Sequence, residues 1–95
     1  MERTYLRADG LNWLAARNPE RWTLPKGDAN ISAIAEDADV SRFQIHRVLS
    51  RSSSAGLKFQ RHLRKLAEST GVTRDAAHAA LFEDVEIDVE TRVAA

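Results

Sequence analysis

Between residues 30 and 50 two short stripes of helical period follow one another, with only Asp39 and Val40 between them. Asn30 is a helix-capping residue type, and Ile31, Ile34, Ala35 and Ala38 then fall on one face, which predicts a helix over residues 31–38. Ser41 repeats the capping signal, and Ile45, Val48 and Leu49 supply the inward face of a second helix over residues 41–50. Arg42, Phe43, His46 and Arg47 are left on its outer side. At 100° per residue Phe43 lies about 160–200° from the apolar face, so an aromatic ring is predicted to point away from the core.

The remainder of the chain reads as further helices around this pair. Leu6, Leu11, Trp13, Leu14 and Ala15 form a first apolar stripe, with Asp9 placed to cap a helix reaching about Arg17. Asn18 before Pro19 favours a short extra turn, from which Trp22 packs back on the core along with Trp13. Leu24, Pro25, Lys26, Gly27 and Asp28 read as an exposed loop, and residues 51–56 as a polar loop without a core-forming residue. Leu57, Phe59, Leu63, Leu66 and Ala67 predict a fourth helix with Lys58, Arg61, Arg64 and Lys65 outside and Gly71 just past its end. Thr73 caps a fifth over residues 74–82, with Ala76, Ala77, Ala80 and Leu81 inward. The expectation is an all-α, five-helix domain over residues 1–82.

Residues 83–95 are expected to differ. Asp84, Glu86, Asp88 and Glu90 alternate with Val85, Ile87 and Val89, which is the period of a strand. Three outcomes are open for it: pairing with the same segment of a second subunit, pairing with residues 3–7, or remaining a solvated acidic tail.

Ninety-five residues close one hydrophobic core, and with no Cys that core is built from aliphatic and aromatic side chains alone. No apolar run is long enough to span a bilayer and no signal-peptide stretch follows Met1, so a cytoplasmic protein is expected, with no membrane partner. The formal net charge is zero, but its distribution is uneven. From Ser41 to Lys65 there are seven cations, Arg42, Arg47, Arg51, Lys58, Arg61, Arg64 and Lys65, and no carboxylate. Most charge runs are merely solvated faces; one that coincides with an outward-facing helix favours a nucleic acid.

Catalysis is not expected. The serines at 41, 50, 52, 53 and 54 lack a Gly-rich elbow or an accompanying Asp and His arrangement. His46 and His62 have no second ligand at i+4, so neither a metal nor another cofactor is expected, and His78 reads as a packing residue in an alanine-rich helix. No small-molecule substrate is implied.

Counted from Ile31, a small residue stands fifth (Ala35) and buried aliphatics stand tenth, fifteenth and eighteenth (Val40, Ile45, Val48). In this spacing, and in the downstream run Leu66 to Thr73, residues 31–82 resemble the lambda-repressor-like helix-turn-helix family of small phage and bacterial regulators of the Cro and repressor type. Two features depart from its pattern. Asp39 holds the ninth position, usually Gly because the turn there takes positive φ, and the connection 22–29 is longer than usual. A somewhat strained turn and a differently packed first helix are expected.

The resemblance implies sequence-specific binding of double-stranded DNA by a transcriptional regulator, with helix 41–50 in the major groove. It implies base contacts from Ser41, Arg42, Phe43, His46 and Arg47. It implies phosphate contacts from Asn30, Ser32, Gln44, Arg51, Ser52, Ser53, Ser54, Lys58 and Arg61. A homodimer through residues 84–90 would match a palindromic site. Alternatives are a DNA-binding accessory to recombination or partition, and an antitoxin-like protein-interaction module.

Overall fold

The computed structural model describes residues 2–86, in the order β1 (Glu2–Leu6), α1 (Gly10–Ala16), α2 (Pro19–Trp22), α3 (Ile31–Ala38), α4 (Arg42–Leu49), α5 (Leu57–Glu68), α6 (Arg74–Leu81) and β2 (Phe82–Glu86). Three helices begin where a polar side chain satisfies an otherwise orphaned backbone donor. Asn30 accepts from Ala33 N, Ser41 from Phe43 N and Thr73 from Ala76 N. Asp9 precedes α1 without a side-chain cap bond and pairs instead with Arg7 at 3.5 Å.

The expectation of an all-α fold is overturned. β1 and β2 form a two-stranded antiparallel sheet in the register Glu2 to Glu86, Thr4 to Asp84 and Leu6 to Phe82, so the fold is mixed α and β. The expected fifth helix stops at Leu81, because Phe82 is already extended at φ −121° and ψ 153°. Of the three outcomes open for the acidic segment, its described part, Phe82–Glu86, takes the pairing with the N-terminal segment. Residues 87–90 of the expected dimer strand lie outside the described residues. Leu6, assigned to the first helical stripe, is instead the buried last residue of β1.

The core joins the sheet to all the helices. Leu14, Ile34, Ile45, Val48, Leu63 and Leu81 are its largest fully buried side chains, and Leu6, Trp22, Phe59 and Phe82 close it. Burial of each is worth about 1.5–3 kcal/mol against exposure, which offsets the ordering of such short helices. Phe59 meets Phe82 edge to face at 6.4 Å between centroids, linking α5 to the start of β2. Two expected core positions are exposed. Leu57, in the first turn of α5, is 75 % exposed, and Ala76 is exposed on α6. Trp22 is buried as expected, whereas Trp13 is only half-buried against the core.

Gly10 explains how α1 approaches α6. A Cβ at this position would stand 2.8 Å from Leu81 O and 3.2 Å from Leu81 Cα, both backbone atoms. The long connection after Trp22 is ordered by backbone pairing between Thr23 and Ala29 and by the bond from Leu24 N to Asp28 O, with Gly27 at φ +101° in its turn.

Candidate nucleic-acid interface

α4 is held in place at its start and on its inward face, and the end of α3 that leads into it is tied to α5. At its start, Asp39 adopts the left-handed conformation (φ 58°, ψ 46°), and Val40 N then reaches back to Ala35 O at 3.0 Å. This is how a chain ends one helix and turns at once into the next, and Asp occupies the position in place of Gly. Ala35 is 4 % exposed at this turn, where a larger side chain would hold the two helices apart. His62 on α5 lies 2.8 Å from Ala38 O through Nδ1, and because a carbonyl only accepts, Nδ1 carries the proton. On the inward face Ile45 and Val48 have no exposed surface.

The opposite arc of α4 bears Arg42, Phe43, His46 and Arg47, all exposed, with Ser41 exposed at the cap. The structure therefore brings together the five residues expected to meet base edges. Phe43 is 65 % exposed, and the Arg42 guanidinium carbon sits 5.1 Å from its ring centroid. A cation over the face of an outward aromatic ring gives one patch that can both donate hydrogen bonds and cover an apolar group. Among the described residues no carboxylate lies within ion-pairing distance of Arg42 or Arg47.

The residues expected to hold phosphate divide into two groups. Lys58 and Arg61 are exposed on α5, Ser32 is exposed in the first turn of α3, and Gln44 is half-buried on the flank of α4. Asn30 caps α3, with its side-chain oxygen taken up by Ala33 N at 3.2 Å. The loop after α4 is committed to the protein itself. Arg47 O accepts from Ser52 N, Ser53 N, Ser50 Oγ and Ser52 Oγ at 3.1–3.2 Å, closing the end of the helix. Ser53 donates to Ser54 O at 3.4 Å, and Ser54 is half-buried. Arg51 turns toward the sheet: it takes a positive φ of 63°, pairs with Glu83 and lies 4.9 Å from the centroid of the Tyr5 ring. Its guanidinium is thus paired within the fold, while about half of the side chain stays exposed at 48 %.

Three polar positions have structural roles that were not anticipated. Gln60 is buried at 6 % exposure and donates to Ala55 O at 2.9 Å, while Ala55 N donates to Thr4 O at 2.7 Å. The loop between α4 and α5 is thereby stitched to both α5 and β1. The available signal was the place of Gln60 on the same arc as Phe59 and Leu63. His78 stands between Arg64, whose Nη1 lies 3.2 Å from Nδ1, and Asp84, whose Oδ2 lies 3.3 Å from Nε2. Since a guanidinium only donates, Nδ1 is the acceptor and the Nε2 proton is directed at Asp84. The Thr4 hydroxyl at 2.5 Å, and to a lesser degree His78, hold the Asp84 carboxyl below its ordinary pKa against the opposing effect of burial. Asp37 is fixed similarly on α3. A two-point contact from Arg21 (2.7 and 2.8 Å) and then the Trp22 indole N–H (2.7 Å) lower it to about 2, again against burial.

The chain matches no protein-family model, no curated protein and no solved structure. Among the described residues no helix is long and apolar enough to cross a membrane.

Proposed function

We propose that this protein binds double-stranded DNA sequence-specifically, with α4 in the major groove, and acts as a small transcriptional regulator of the Cro and repressor type. One observation carries the reading: Arg42, Phe43, His46 and Arg47 share an exposed arc, free of carboxylates, on a helix whose other face is fully seated in the core. An arginine on such an arc donates two hydrogen bonds to guanine O6 and N7, and a phenyl ring covers a thymine methyl. This role places the protein in the cytoplasm of a bacterial cell.

Selection of bound sites from random duplexes tests it. Enrichment of a short motif whose base preferences relax in Arg42→Ala or Arg47→Ala is the expected result. Absence of enrichment would overturn the reading in favour of protein docking through the same arc.

One α4 covers a single half-site, so two subunits on a palindrome are the usual route to useful affinity. Residues 84–90 are the candidate dimer strand, a second copy pairing with the edge of β2 opposite the one taken by β1. Two-fold antiparallel pairing places residues of equal parity opposite each other, so Asp84 and Glu86 would face their own kind. A dimer built this way therefore tightens as salt is raised, whereas DNA binding weakens.

A further inference from the structure

The described cations are not used alike. Arg7, Arg21, Lys26 and Arg51 each pair with a carboxylate. Arg61, Lys65 and Arg74, on α5 and α6, are exposed and have no carboxylate within ion-pairing distance among the described residues. With Arg64 they line one groove of about 300 Å³, where Glu68 is the only acid.

This groove continues on both sides, and Arg64 and Arg74 also border a depression that holds Asp75 and His78. Arg61 and Lys65 border the depression on its other side, which shares His62 with the groove beside Ser41 and Gln44 at the start of α4. A trough thus runs from the edge of the proposed base-reading helix, past Lys58, across α5 to α6; Glu36, Asp39 and the Arg21-paired Asp37 border its end nearest α4, and the cations gather toward α6. Lys58 and Lys65 are seven residues apart, about 10 Å along the helix, which is close to the axial rise of three nucleotides.

We propose that Arg61, Lys65 and Arg74 form a phosphate-backbone site for duplex DNA flanking the sequence read by α4. The proposal rests on α4 being the DNA-reading helix and extends the contact to α6, which carries no base-reading residue. Backbone contacts of this kind add affinity without sequence information and set the register of the reading helix. The occupant is a polyanion because four cations, Arg61, Arg64, Lys65 and Arg74, line a groove with one described carboxylate, Glu68, while Asp75 borders the depression beside it.

The test compares the wild-type protein with R61A/K65A/R74A and with R42A/R47A, on the selected duplex and on random duplex, over a range of salt. Each phosphate contact contributes about 0.9 to the slope of log affinity against log salt. The triple variant is expected to lose about two to three from that slope and to bind both duplexes more weakly, with its base preference intact. Ethylation of phosphates outside the selected motif should inhibit the wild type and not the triple variant. An unchanged slope and ethylation pattern, in a wild type that still prefers its motif, would overturn the backbone site and leave an acidic protein segment as the partner for these cations. Failure of the wild type to prefer any duplex would overturn the α4 reading itself. Circular dichroism of both variants, whose substituted side chains are exposed, confirms that the comparison is between folded proteins.

Discussion

The indole N–H of Trp22 donates to Asp37 Oδ2 at 2.7 Å, and the same oxygen accepts from Arg21 at the same distance. Two residues of α2 thereby clamp one carboxylate of α3, the helix on which α4 rests. Asp37 is held at a pKa of about 2, below the ordinary 3.8, so its charged form stabilises the fold. A depressed carboxylate contributes fully above the unfolded-state pKa and loses its contribution as pH falls through the folded-state value. Asp37→Asn should lower stability by about 1 kcal/mol at neutral pH, several degrees in Tm. The gap between variant and wild type should narrow as pH falls below about 4 and close only near pH 1, below the folded-state value. A gap of unchanged size from pH 4 down to about pH 1 would show that packing, and not the charge, explains the loss.

Asp39 carries the turn between α3 and α4 in a left-handed conformation that Gly adopts without steric cost. Asp39→Gly should raise stability by about 0.5–1 kcal/mol, the relief of strain exceeding the added freedom of the unfolded chain. Equilibrium denaturation measures it. A loss of stability would mean that the Asp39 side chain contributes more than its backbone costs.

Ala35 receives the Val40 N–H and is buried where the turn folds back. Ala35→Leu adds three carbons at a buried position where α3 turns into α4 and should cost about 1–3 kcal/mol. A variant as stable as the wild type in urea would show that α3 and α4 can separate without penalty.

Gly10→Ala should also destabilise, contrary to the usual gain of about 1 kcal/mol from replacing a helical glycine. The new methyl would meet backbone at Leu81, which a side-chain rotation cannot relieve, so α1 and α6 must move apart. A loss of about 1–3 kcal/mol is expected by thermal unfolding. A rise in Tm would refute this close approach.

On the proposed DNA reading, Phe43 covers a thymine methyl. Replacing each thymine of a selected site with uracil should weaken wild-type binding at one position, and Phe43→Ala should be indifferent to that same change. If both proteins respond alike at every position, the ring does not contact a methyl group.

The sequence by itself determined the helices and, at most positions, the face each presents. Asn30, Ser41 and Thr73 cap their helices through contacts two or three residues away, and the outward position of Phe43 follows from its angle to Ile45 and Val48. The candidate base-reading arc was legible for this reason, since its geometry is set within one helix. Only the tertiary structure decided what lies far apart in the chain. The period-two pattern after Phe82 marked a strand, but its partnership with Glu2–Leu6 depends on both ends of the fold arriving at one edge. Arg51 looked like one more exposed cation of the basic run until that sheet placed Glu83 and Tyr5 against it. Leu57 fits the apolar stripe of α5 yet lies beyond the reach of the core, and Gln60 is buried because a loop carbonyl meets it there. Periodicity reports the direction of a side chain from its own helix. Burial and pairing depend on what the rest of the chain brings opposite.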